Sequence, residues 1–350
     1  MSRIKLRVFE FTAYFLGVVL FPIPIFVSIN CTAEPGGAPA SRWAEVAAAP
    51  SGATCLSARD ETHVWLAGSE NGEAVIWRWD GTAFREEFRL AGVSSALYDI
   101  DFGGATGWAA GSVDAGARPS ALLLKYNAGE WSRVSNAPET RLGFSKVSAS
   151  GGDGCWLLAY GEAYRFERGN WTRFRDFPNA RDLAFCDGSR VFITTDLGPY
   201  IWVFDGSTWV REDVALPPGL ATTGLSCAAA VPGGAFFNCI LLYEELPDFY
   251  YGAILRRDDA PPAKGAYELC FFAPPGPYFY GLDALAFGNN EDGVAVGFRT
   301  SVRCEAGVCR EEIYAGGLGT PFAVAALAPG DYWMLARRGG SGKVLVRYKE

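Results

Sequence analysis

The chain has 350 residues, 49% of them hydrophobic, 14% aromatic and only 20% charged, which is far from a disordered composition and enough for one large core or two smaller ones. Abundant glycine (42) beside scarce methionine (2) suits many tight turns between short strands. The formal charge of −8 becomes about −10 once the basic N-terminal segment is set aside, and a body this acidic argues against a nucleic-acid partner.

The chain opens on a basic stretch, "MSRIKLR", followed by the uncharged apolar run "FTAYFLGVVLFPIPIFVSI". A run of about 19 residues approaches the length of a membrane span, and with its basic flank it predicts a signal or anchor helix over residues 1–30. Three fates are open: cleavage after "CTA", lipidation of Cys31, or retention as an anchor. All three place the body outside the cytoplasm, in a bacterial envelope or secreted, with the N-terminus as its sole membrane contact. Residues 31–40 read as a flexible linker. Nine cysteines agree with an oxidising compartment, and eight remain when Cys31 is set aside.

From residue 41 onward one pattern recurs. A small-residue strand, a Gly/Asp turn and a second strand with an aromatic appear in "ATCLSARDETHVWLAGS", "ALYDIDFGGATGWAAGS", "FSKVSASGGDGCWLLAY" and four later copies. The copies lie roughly 36 to 58 residues apart. Most are followed by a third strand, a Gly turn and an aromatic, as in "AVIWRWDGTAF" and "YIWVFDGSTW". Four short strands per unit at this period predict an all-β, seven-bladed β-propeller over residues 41–350, with strands a to d running from axis to rim. The rim aromatics Phe84, Trp131, Trp171, Trp209 and Tyr267 are expected to pack between blades. The seventh unit stops at its third strand, "KVLVRYKE". The missing fourth strand is found at the other end: "SRWAEVAAAP" aligns with "EWSRVSNAP" and "NWTRFRDFP", so Trp43 is expected to close the ring.

The motifs "VWLAG…G…WRWDG" and "FDGSTW" give the body a resemblance to the seven-bladed propellers of bacterial exported proteins, in the BNR and photosystem-assembly-factor-like repeat group. It departs from the sialidase Asp-box, since Asp205 touches Gly206 directly, and from kelch and WD repeats in where the Gly pairs and Trp79-Asp80 fall.

Propeller topology puts b–c and d–a loops on one face, the usual binding face, and a–b and c–d turns on the other. His63, the only histidine, falls at an a–b turn, which argues against histidine triads and metal sites. The turn "GNNEDG" (288–293) is acidic, and a solvated turn is the plainer reading than a calcium site. Cys304 and Cys309 flank a c–d hairpin and predict a local disulfide that replaces the aromatic of that blade. Cys227, Cys239 and Cys270 fall in blade 5, with pairing left open.

Blade 5 also has the longest b–c loop, "YEELPDFYYG", beside the d–a loop "APPGPYFYG". Phe249, Tyr250, Tyr251, Tyr278, Phe279 and Tyr280 with Glu244 and Asp248 are therefore the expected binding cluster, suited to a sugar or a peptide. Arg118, Arg141, Arg181, Arg299, Arg337 and Arg338 map to the same face. The expectation is a monomeric, non-catalytic envelope propeller that binds a protein or glycan, with no catalytic residue, cofactor or metal. The alternatives are a purely structural assembly component, or a sialidase-like glycoside hydrolase with Glu244, Glu245 and Asp248 as carboxylates. The innermost strands read as Ala-rich rather than polar.

Overall fold

Short alternating runs separated by Gly, Asn and Asp turns pair with their sequence neighbours, because a tight turn leaves no slack for anything else. The structure is a computed structural model. It describes residues 42–350 except 115, 117–118, 175–176, 187–189, 244–245, 260–264, 273–281, 298–299, 313–317 and 341, and it does not describe the side chains of 223, 242–251 and 300. Among the described residues there are twenty-eight strands. They form seven antiparallel sheets of four. No helix there is long and apolar enough to cross a membrane. The expected N-terminal helix, its linker and Cys31 lie outside the described residues.

Each sheet is one blade. The innermost strands, a, of blades 1 to 7 are Ala53–Asp60, Ser95–Gly103, Lys146–Ala149, Ala180–Phe185, Leu220–Val231, Leu282–Phe287 and Thr320–Ala328. Each lies against the innermost strands of its two neighbours, and that of blade 7 meets that of blade 1, so the ring is closed. Trp43–Ala49 pairs antiparallel with Lys343–Lys349, Trp43 opposite Tyr348, and supplies the outermost strand of blade 7.

Seven separate apolar cores fill the ring, one at each junction of adjacent blades. Each blade turns one cross-strand pair from strands c and d toward the blade before it. In blades 1 to 4 these are Trp79 opposite Phe84, Tyr126 opposite Trp131, Phe166 opposite Trp171 and Phe204 opposite Trp209. Their ring centroids lie 4.8–5.3 Å apart. Trp43 and Tyr348 repeat the arrangement at 5.2 Å. Blade 5 substitutes Arg257 opposite Tyr267. Blade 6 places Cys304 opposite Cys309, and the two are disulfide-bonded. Antiparallel pairs face each other directly, so the same register point collects whichever pair can fill the junction.

One expectation for blade 5 needs correction, and one open question is answered. Its "YEELPDFYYG" segment is not a long loop. Strand b, Gly234–Tyr243, and strand c, Leu246–Asp258, are joined by residues 244–245 alone, with Tyr250 opposite Leu242 and Tyr251 opposite Leu241. Phe249, Tyr250 and Tyr251 are therefore strand residues. Cys227 and Cys239, whose pairing the sequence left open, are both free thiols. They face opposite sides of the blade, Cys227 toward blade 6 and Cys239 toward blade 4, so they cannot meet.

Candidate functional site

The expected cluster in blade 5 cannot be placed. Glu244, Glu245, Tyr278, Phe279 and Tyr280 lie outside the described residues, as do the side chains of Asp248, Phe249, Tyr250 and Tyr251. Two other features emerge: the central channel and one sector of the b–c/d–a face.

The channel is lined by the seven innermost strands and encloses about 420 Å³. It is not uniformly apolar, contrary to the Ala-rich reading. One wall carries Ala228–Ala230, Ala284–Ala286 and Ala323–Ala326, but the other carries Asp99, Asp101, Lys146 and Asp182. The innermost strand of a blade has no ladder partner on its axial edge, so its N–H groups need other acceptors. Short Asp and Ser side chains reach across the blade junctions and supply them. Asp99 accepts from Val147 N at 2.9 Å and Asp101 from Ala149 N at 2.8 Å. Ser148 Oγ accepts from Phe185 N at 3.1 Å, and Asp182 from Ala228 N at 3.0 Å. Lys146 Nζ lies 3.2 Å from Asp182 Oδ1.

Burial in this narrow space pushes Asp99 up to about 6, although Lys146 opposes it. Burial pushes Asp101 up to about 7, with the neighbouring Asp99 charge adding to the effect. Lys146 moves up as well, chiefly because of Asp182. The channel carboxylates are thus structural staples, and burial favours the protonated form of Asp99 and Asp101.

The b–c/d–a face offers a surface of a different kind. Its large apolar side chains are unusually open: Tyr160 is 88% exposed, Leu197 57% and Leu142 54%. Leu142 stands on the loop entering blade 3. Gly143 lets that loop touch down, at φ +87°, where a Cβ would lie 2.6 Å from Gly111 O. Phe144 then buries itself, its N–H donating to Gly111 O at 3.0 Å and its ring edge-on to Tyr164. With its two successors anchored, Leu142 is held outward. Tyr160 occupies the tight b–c turn of the same blade, before Gly161 at φ +75°. The two residues line one cavity of about 490 Å³ with Arg141, Glu162 and Arg173. A second cavity of about 610 Å³ continues past Glu139 and Thr140 to Arg133. Arg173 is ion-paired to Glu162.

The other arginines assigned to this face scatter. Arg181 is exposed at the start of the innermost strand of blade 4. Arg337 lies 4.8 Å from the Phe322 ring, Arg338 pairs with Glu45, and Arg118 and Arg299 lie outside the described residues. On the opposite face, His63 Nδ1 sits 2.8 Å from Asp60 in its a–b turn. Asp292 of "GNNEDG" is occupied by Arg303, Tyr332 and Gly330 N. Among the described residues no group of three or more His, Cys, Asp or Glu side chains is placed to hold a metal.

Neither the protein-family models nor the curated proteins contain a match to this sequence. Solved structures do. A structure described as YCF48 bound to D1 peptide matches with a TM-score of 0.64 at 17% identity, covering 89% of this chain and 97% of that one. YCF48 from Cyanidioschyzon merolae matches at 0.59 and 15% identity, covering 88% and 98%. The extracellular domain of BT4673, a one-component system from B. thetaiotaomicron, matches at 0.57 and 14% identity, covering 87% of this chain and 39% of that one. At such identities the likeness is one of fold: the chain is a seven-bladed β-propeller, and structures of the YCF48 photosystem assembly factor are among its structural neighbours.

Proposed function

We propose that this protein is a non-catalytic extracytoplasmic propeller that holds an extended peptide segment of a protein partner on its b–c/d–a face. The observation that carries this reading is the coincidence of Leu142 and Tyr160 on one groove, flanked by Arg133 and Arg141. Water-exposed rings and aliphatic groups beside a few charges suit side-chain anchoring, with charges at the rim setting orientation. The YCF48 structure with its bound D1 peptide supports the class of partner. The Cys304–Cys309 disulfide supports an oxidising compartment. The free thiols at Cys55, Cys155, Cys227 and Cys239 are compatible with it, because each is buried.

A phage-displayed random peptide library panned on the purified chain tests the reading. Selected peptides should lose about tenfold or more in affinity against Leu142→Ser/Tyr160→Ala, as expected for loss of anchoring side chains. They should be indifferent to Val210→Ser, an exposed apolar residue on an outermost strand. Peptides that bind both variants equally would refute the site.

A further inference from the structure

Two departures from the repeat meet at the junction of blades 5 and 6. The first is the Cys304–Cys309 disulfide, at the register point where five other blades stack two aromatics. The second is a β-bulge in the outermost strand of blade 5, Ala266–Phe272. Leu269 lies opposite Leu255 and Phe271 opposite Ile254, which leaves Cys270 as the extra, unpaired residue. A bulge re-aims a side chain. Tyr267 and Leu269 pack toward blade 4, whereas Cys270 and Phe271 both turn toward blade 6. Without the bulge the alternation of the strand would separate these two. Cys270 is a half-buried free thiol packed against the same core as Cys304 and Cys309, and its strand lies against Val308–Glu312, which carries Cys309.

We infer that this junction is a thiol–disulfide exchange site, at which Cys270 attacks Sγ of Cys309 and moves the disulfide from within blade 6 to between blades 5 and 6. The Cys270 thiol gives up its proton and its sulfur bonds to Cys309. The Cys304–Cys309 bond breaks, and its electron pair leaves with Cys304, which takes up a proton. One disulfide and one thiol stand on each side of the exchange, so no oxidant is needed. Burial holds the Cys270 thiol up at about 11, so the exchange is slow at neutral pH and accelerates as pH rises. Its consequence is mechanical. Adjacent blades otherwise associate through packing, hydrogen bonds and ion pairs, and the exchanged form ties two of them covalently at the rim.

Disulfide mapping of the full chain tests this. The protein is held unreduced, without added oxidant, at pH 7 and pH 9 below its melting temperature. It is then acid-quenched, alkylated, cut with trypsin and Glu-C, and read by mass spectrometry. The expected result is a Cys270–Cys309 link that accumulates faster at pH 9, with Cys304 alkylated, and that is absent in Cys270→Ser. As a second arm, Cys304→Ser should form the Cys270–Cys309 link under glutathione disulfide while keeping its native circular dichroism. Persistence of the Cys304–Cys309 bond alone at both pH values, with no link in a folded Cys304→Ser, would overturn the proposal. Links to Cys155 or Cys239, buried at other junctions, would mark general scrambling and would overturn it as well.

Discussion

Blades 6 and 7 fill the same register point with different chemistry. In blade 7 the pair is Trp43 and Tyr348, two rings contributed by opposite ends of the chain. In blade 6 it is Cys304 and Cys309, five residues apart on one hairpin. The aromatic pair gains its stability from buried area, and it also holds together strands from the two ends of the chain. The disulfide fills less volume, but it constrains its hairpin in the unfolded chain as well as in the folded one. The comparison teaches that the repeat conserves a position in space rather than a residue type, and that ring closure depends on the pair with the longest sequence separation.

The sharpest way to break the comparison is to remove the clasp. Deleting residues 42–49 leaves Lys343–Lys349 as an exposed edge and uncovers Tyr348, and the expected outcome is loss of cooperative folding and aggregation. Trp43→Ala alone should cost ~3–5 kcal/mol in denaturant melts, as a buried aromatic truncation does. A shift no larger than that of a surface alanine would contradict the closure. Cys304→Ala/Cys309→Ala should cost roughly 2 kcal/mol, because the loop it closes is short. Restoring an aromatic pair, Cys304→Phe/Cys309→Trp, should recover part of that loss if the register point takes either solution.

The channel gives a smaller, pH-dependent effect. Asp99 and Asp101 have folded-state values near 6 and 7, above those of an unfolded aspartate. Between roughly pH 4 and 7 the folded state therefore binds more protons than the unfolded state. Their contribution is fully present below the unfolded value and is lost as pH rises through 6 to 7. The melting temperature should fall from pH 5 to pH 8, and Asp101→Asn should flatten that slope. An unchanged slope would mean that the carboxylates are solvated. Smallest of all in stability is Leu142→Ser/Tyr160→Ala, expected within about 0.5 kcal/mol of the wild type because both side chains are exposed.

The ring and its closure were legible in the sequence because they rest on repetition. "SRWAEVAAAP" matches other outermost strands by the spacing of Trp to Pro, and the Cys304–Cys309 pair by its turn. The channel staples were not legible. Asp99, Asp101 and Asp182 look like ordinary polar positions in alternating strands, and only ring geometry turns them toward the axial edge of the next blade. The hairpin of blade 5 was misread because Pro247 and its acidic neighbours suggest a loop. Pro247 falls in the irregular stretch between Leu246, opposite Tyr243, and Tyr250, opposite Leu242, where no ladder donor is required. The groove at Leu142 and Tyr160 escaped notice because a single ring before Gly161 is indistinguishable, in sequence, from any turn residue.

Hydrogen–deuterium exchange of the chain with and without a selected peptide tests the central claim, that one sector of the b–c/d–a face is the binding surface. The account predicts slowed exchange across residues 139–143 and 158–162, with the c–d turn at Ala128-Gly129 on the opposite face unchanged. Protection confined to that opposite face, or none on the Leu142–Tyr160 groove, would contradict it.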